Sequence, residues 1–213
     1  MVRPVVLALP RGGIPIGLEV AKALHAPLDL LMVRKIGVPW QPELAAAAIV
    51  DGPAHTTVLN EDVMAMTGLR LTNLQPTIDR ELAEIDRRRA LYLDATRRTP
   101  IPVTGRSVII VDDGVATGTT LRAAIRALRT RSPREIIVAV PVAPADAVDA
   151  LREEVDHVVC LAHPDPFYAI GLHYADFHPL EDAEVQQLLA RAPRETAGAT
   201  GGPSQSDQAP GRP

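Results

Sequence analysis

Short apolar runs set between helix-spaced segments constrain this chain more than any other feature. Val5–Leu9, Leu28–Val33, Ser107–Val111, Ile136–Pro141 and His157–Leu161 are each five or six residues long and almost wholly apolar, with Ala45–Val50 a weaker run of the same kind. Their apolar residues are continuous rather than alternating, the mark of strands covered on both faces. Between them, Ile14–His25 places Ile14, Leu18, Ala21 and Leu24 at helical spacing, with Pro15 in the first turn where a missing N–H does no harm. Leu121–Leu128 repeats that spacing behind Ser107–Val111. The pattern predicts an α/β fold with an open, mainly parallel sheet and helices on both faces. No period of 20–50 residues recurs, which excludes a repeat architecture.

The 213 residues suit one domain with some length to spare. Pro193–Pro213 is rich in Gly, Pro, Ser, Thr, Ala and Gln, too poor in apolar surface to offset its ordering entropy, so 1–192 is expected to fold and 193–213 to be disordered. Asn60 can cap a short helix through Val63 and Met66, and Leu71, Leu74, Ile78, Leu82 and Ile85 then form one face of a long amphipathic helix. Arg87, Arg88 and Arg89 extend it, as a solvated face or as a phosphate- or partner-binding patch. Cys160 is the sole cysteine, so no internal disulfide or cysteine zinc cluster can form; it reads as a small buried hydrophobe. His163, His173 and His178 match no tight metal-ligand spacing. A net charge of −4 argues against general nucleic-acid binding. No apolar run approaches the ~18 residues of a membrane span, and the N-terminal run is too short for a signal peptide, so a cytoplasmic protein without a membrane partner is expected.

The chemistry concentrates in Val108–Thr120. A buried strand ends in Asp112 and Asp113; a small-residue loop follows, and a helix begins near Thr119. Open α/β sheets bind ligands at the C-terminal ends of their strands. The loop residues Val115, Ala116, Thr117, Gly118, Thr119 and Thr120 offer backbone amides, hydroxyls and a close-approach glycine, a cradle for a monophosphate. Two adjacent carboxylates repel phosphate but suit a sugar diol or a hydrated divalent cation. Together these features point to a ligand with a ribose and a 5′-phosphate. A P-loop would need a lysine before its Ser/Thr, and Pro10-Arg11-Gly12-Gly13 lacks the dinucleotide fingerprint.

This segment resembles the phosphoribosyl-pyrophosphate (PRPP) signature of the type I phosphoribosyltransferases, and the resemblance extends over about Val5 to Leu189, closest to a bacterial branch described only as predicted phosphoribosyltransferases. Pro10-Arg11-Gly12-Gly13 resembles the family's pyrophosphate loop, which implies a cis peptide at Pro10–Arg11. Its glycines let backbone amides approach a diphosphate, and Arg11 adds a fixed positive charge. Val33-Arg34-Lys35 resembles the start of the flexible catalytic loop, implying a lid over about residues 36–43 and a role for Arg34 and Lys35 in neutralising the departing diphosphate. Phe167–Phe177 resembles, more loosely, the hood of purine-salvage members, implying a hood over about 163–180 in which Phe167 or Tyr168 stacks on a base. The residues Phe167, Tyr168, Tyr174 and Phe177 could equally form a satellite core cluster. Trp40 reads as a packing residue or a gate of the lid.

The resemblance implies Mg2+ bound indirectly at Asp112 and Asp113, through water or ribose hydroxyls. The implied substrates are PRPP and a nitrogenous base. It also implies a homodimer, for which the Leu71–Ile85 face is a candidate surface. Two departures stand out. Purine-salvage relatives carry an aspartate three residues after the acidic pair, where this chain has Ala116, so a proton acceptor must come from elsewhere, Glu43 or Asp176 being candidates. Relatives also carry a helix before the first strand, which here begins at Val5, so an exposed apolar patch or a partner is expected there. Beside catalysis stands a non-catalytic regulator binding PRPP or a nucleotide on the same fold, and a truncated inactive copy is a third reading.

Overall fold

The computed structural model describes residues 1–52, 55–94 and 100–195. Its frame is a five-stranded, wholly parallel sheet of β1 (Val5–Ala8), β2 (Leu28–Leu30), β6 (Ser107–Val111), β7 (Glu135–Val142) and β8 (His157–Ala162), in the order β2-β1-β6-β7-β8. The central strands are buried throughout, as continuous apolar runs require. Val6, Ala8, Ile109 and Val111 face one core, against α1 (Gly13–Leu24) and α6 (Asp182–Ala190). Val5, Leu7, Val108 and Ile110 face the other, with α4 (Thr119–Arg129) and α5 (Ala145–Arg152). The open parallel α/β class is the one the apolar pattern predicts.

The run Leu28–Val33 divides where one strand was expected. β2 ends at Leu30, and the chain turns at Leu31–Met32 into a separate antiparallel sheet of β3 (Val33–Val38), β4 (Gln41–Val50) and β5 (Thr56–Leu59). Leu31 N–H donates to the Ala8 carbonyl at 3.0 Å and the Met32 carbonyl accepts from Asp51 N–H at 2.9 Å, so this corner stays paired while changing sheets. This small sheet is the hood-like accessory, packed between α4 and α3 (Leu71–Arg89). The segment 36–43 thus carries a paired hairpin. Its register shifts at Gly37, where an added Cβ would lie 2.7 Å from Pro42 Cα. Asn60 caps α2 (Glu61–Thr67) as its position predicts, accepting from Val63 N–H.

The N-terminal expectation is relocated by the structure. Val5 to Ala8 are fully or almost fully buried, so β1 presents no apolar patch. The exposed apolar residues of the large sheet lie on edge strand β8, where Val159 is 49% and Leu161 79% exposed. Cys160, beside them, is half-buried. Of the tail, residues 193–195 are described and engaged: Leu28 N–H donates to the Pro193 carbonyl at 3.2 Å, and Glu195 pairs with Arg106. Residues 196–213 lie outside the described residues. Among the described residues no helix is long and apolar enough to cross a membrane.

Candidate active site

Register brings the site together. Ala8 pairs with Val111 across the parallel ladder, so the chain leaving β1 and the chain leaving β6 emerge side by side. Leu9 N–H donates to the Val111 carbonyl at 2.9 Å, and Gly13 N–H to the Leu9 carbonyl at 3.0 Å, folding Pro10–Gly13 back toward Asp112 and Asp113. A Cβ on Gly12 would sit 2.6 Å from the Asp113 carboxyl carbon, and one on Gly13 2.6 Å from the Val111 carbonyl oxygen. These glycines are therefore required by the close approach of two loops. The cis peptide implied at Pro10–Arg11 is present.

Asp112 and Asp113 crowd two carboxylates into a half-enclosed corner. Burial, then the charge of Asp113, pushes Asp112 up to about 8, although its Oδ1 accepts from Asp113 N–H at 2.9 Å. Burial also pushes Asp113 up. Tyr174 packs beside them and donates its O–H to the Asp113 carbonyl; burial and the two carboxylates push that phenol up to about 12.

Beyond the acids, Asp112–Leu121 and Ile170 line a cleft of about 200 Å3. Val115 N–H is already committed to the Val142 carbonyl at 2.9 Å, so the free cradle begins at Ala116. Ala116, Thr117 and Thr119 are exposed to the cleft mouth. Gly118 holds φ at +72°, a left-handed turn that lets α4 start with its first amides pointing outward. Thr117 and Thr119 hydroxyls stand 3.2 Å apart over that turn.

A second cavity, of about 470 Å3, is lined by Arg11, Gly12, Pro15, Ile16, Asp113, Tyr174, Asp176, Phe177, His178, Pro179 and Leu180. Asp113 borders both cavities. Arg11 turns its guanidinium to the Leu180 carbonyl, with Asp182 3.8 Å away. At the rim, His178 is held between Asp176 at 2.9 Å and Glu184 at 3.2 Å; Asp176 and then Glu184 raise His178, and His178 lowers Asp176. Of the two carboxylates considered for the role vacated at Ala116, Asp176 faces this cavity, whereas Glu43 stands on the exposed hairpin.

The remaining expected site residues are distributed otherwise. Phe167 stacks on His173, ring centroids 5.7 Å apart, and does not line the described cavities; Phe177 and Tyr174 take that wall. Arg34 and Lys35 are separated by the two-residue period of a strand, which sends neighbours to opposite faces. Arg34 borders a narrow gap with Pro10 and Arg88 and pairs with Glu81 at 2.9 Å. Lys35 faces α4 in a different cavity. The arginine run is split as well: Arg87 and Arg88 grip Glu84, holding that carboxyl down at about 2, while Arg89 reaches buried Asp51. Among the described residues no three His, Cys, Asp or Glu side chains converge as a metal cluster, so a cation here would draw ligands from substrate and water beyond the two aspartates.

Comparison with known proteins agrees with this geometry. The sequence model of the phosphoribosyl transferase domain family matches residues 2–176. Two Mycobacterium tuberculosis proteins, from strains H37Rv and CDC 1551 and each named “Putative phosphoribosyl transferase”, are 46% identical to this chain over 193 residues, 91% of it. The chain spans 43% of the length of those relatives. A crystal structure of the protein TT1426 from Thermus thermophilus superposes with a TM-score of 0.76 at 36% identity, covering 89% of this chain and 88% of that one. With its parallel sheet, acidic strand end and glycine turn into α4, this chain belongs to the phosphoribosyl transferase domain family.

Proposed function

We propose that the chain transfers the 5-phosphoribosyl group of PRPP to a nitrogenous base and releases diphosphate. The observation that carries this reading is the position of Asp113, which borders both the phosphate-cradling cleft and the larger cavity. A sugar phosphate seated with its 5′-phosphate on the Ala116–Thr120 amides would place its diol against Asp112 and Asp113 and turn its reacting carbon toward that cavity. The rings of Phe177 and Tyr174, which line this cavity with Pro15 and Ile16, suit a flat heterocycle.

The diphosphate would lie toward Pro10–Gly13, where Gly12 and Gly13 admit backbone amides and Arg11 and Arg34 stand near. Two carboxylates pushed above their ordinary range form an all-oxygen corner short of positive charge, which fits magnesium. Bound with PRPP, the ion would neutralise charge on the leaving group. The bond from the sugar's C1 to diphosphate breaks as a bond to the base nitrogen forms. The proton on that nitrogen passes to Asp176, whose orientation His178 fixes.

Ala116 favours the second reading, a regulator that binds PRPP or a nucleotide without turnover. Diphosphate release from PRPP across a panel of purines and pyrimidines separates the two. Turnover with any base establishes the transferase; tight PRPP binding with no turnover across the panel establishes the regulator.

A further inference from the structure

A third cavity takes no part in the proposed reaction. It holds about 240 Å3 between α4 and the antiparallel sheet, and neither Asp112 nor Asp113 lines it. Three cations converge there: Lys35 from β3, and Arg122 and Arg126 one helical turn apart on α4. Asp62 is the one carboxylate that lines the cavity with them. Lys35 and Arg126 have no ion-pair partner among the described residues. Arg122 is ion-paired outside the cavity, its buried Nε standing 3.0 Å from Glu154 Oε1. The floor is methyl groups of Ala45, Ala47, Ala48 and Ala123, with no aromatic ring for a base to stack on.

Like charges gathered round a half-enclosed space repel one another. An anion with several oxygens relieves that repulsion. The N-terminus of α4 adds its own positive potential through Thr119, which lines this cavity and also the cradle for the sugar phosphate.

We infer that this cavity is a second anion site, separate from the reaction centre, built for a diphosphate group. Lys35, Arg122 and Arg126 hold the oxygens, and Thr119 links its occupancy to the phosphate cradle. That link is reciprocal: an anion here changes sugar-phosphate affinity by the same factor that sugar phosphate changes anion affinity.

The test is calorimetric titration of the full chain with inorganic diphosphate and, in a second arm, adenosine diphosphate, both with ribose 5-phosphate at saturation. Arg126 is exposed, so Arg126→Glu and Arg126→Ala should fold, as circular dichroism can verify. Each should weaken a diphosphate-binding component by at least about tenfold, while Arg11→Ala leaves that component intact. Equal affinity for the two probes identifies the diphosphate group itself as the recognised feature; preference for the nucleotide identifies a nucleoside diphosphate. Absence of diphosphate binding, or binding unchanged in both Arg126 variants, overturns the inference. Ribose 5-phosphate titrated alone reports on the Asp112–Thr120 corner; its failure to bind would sink the reaction reading and leave the anion site standing.

Discussion

Replacing Asp112 by asparagine should stabilise this protein, and increasingly so as pH rises. In the unfolded chain an aspartate ionises near 3.8; in the folded chain burial and the neighbouring Asp113 push Asp112 up to about 8. Between those values the native state holds a proton that the unfolded state has released, so stability falls as pH climbs from about 4 to about 8. At 1.36 kcal/mol per unit, the full displacement is worth about 6 kcal/mol. Asp112 retains some solvent contact and a hydrogen bond from Asp113 N–H, so a net gain of about 2–4 kcal/mol is expected above pH 8. For a domain of this size that is a rise of about 5–15 °C in Tm. Asparagine keeps the shape of the protonated acid and cannot ionise, so below pH 4 the two proteins should melt together. Scanning calorimetry of wild type and Asp112→Asn at pH 4, 6 and 8.5 reads this out. A difference independent of pH, or a less stable variant at pH 8.5, would refute the electrostatic account. On the proposed function the same variant should bind PRPP more weakly, since it removes one of the two carboxylates assigned to the diol and cation, and stability and function would then oppose each other at this residue.

Gly12→Ala is expected to cost about 1–3 kcal/mol in a denaturant titration, because the new methyl meets the Asp113 carboxylate. Gly118→Ala tests a different cause: an added Cβ would meet only Val115 Cγ1 at 3.6 Å, so the penalty arises from φ of +72° and not from crowding. Gly118→Asn, which tolerates that conformation better, should retain more ribose 5-phosphate affinity than Gly118→Ala. Arg89→Ala should destabilise by about 3–5 kcal/mol by leaving Asp51, 2% exposed, without its guanidinium; adding Asp51→Asn should recover part of that loss in the same melt. If Asp176 accepts the base proton, Asp176→Asn should lower kcat/KM about a hundredfold. His178→Ala should return the Asp176 carboxyl toward its ordinary, higher range and so move the acid limb of the pH–rate profile upward.

What the sequence disclosed depended on how locally each feature is encoded. Val108–Thr120 carries strand, acids, turn and helix start within one contiguous stretch, so the corner could be read without knowing its neighbours. The same holds for the Asn60 cap, whose partner Val63 lies three residues away. The break at Leu31–Met32 was invisible because both halves are equally apolar; only pairing with Ala8 on one side and Asp51 on the other separates them. The aromatic side chains of 167–177 were harder still. An irregular segment has no period to say which ring turns inward, so Phe167 and Phe177 look alike until Phe167 is found on His173. Charges behave similarly. Arg87, Arg88 and Arg89 look like one cationic face, yet each takes its partner from the turn geometry it happens to occupy, and Asp51 is 38 residues from Arg89 along the chain. Arg34 and Lys35 are the instructive pair, because the two-residue period that divides them was already implicit once β3 was recognised as a strand. An open lid would carry no such period; the strand does, and the two cations therefore serve opposite faces of the small sheet, Arg34 toward the Pro10 loop and Lys35 toward α4.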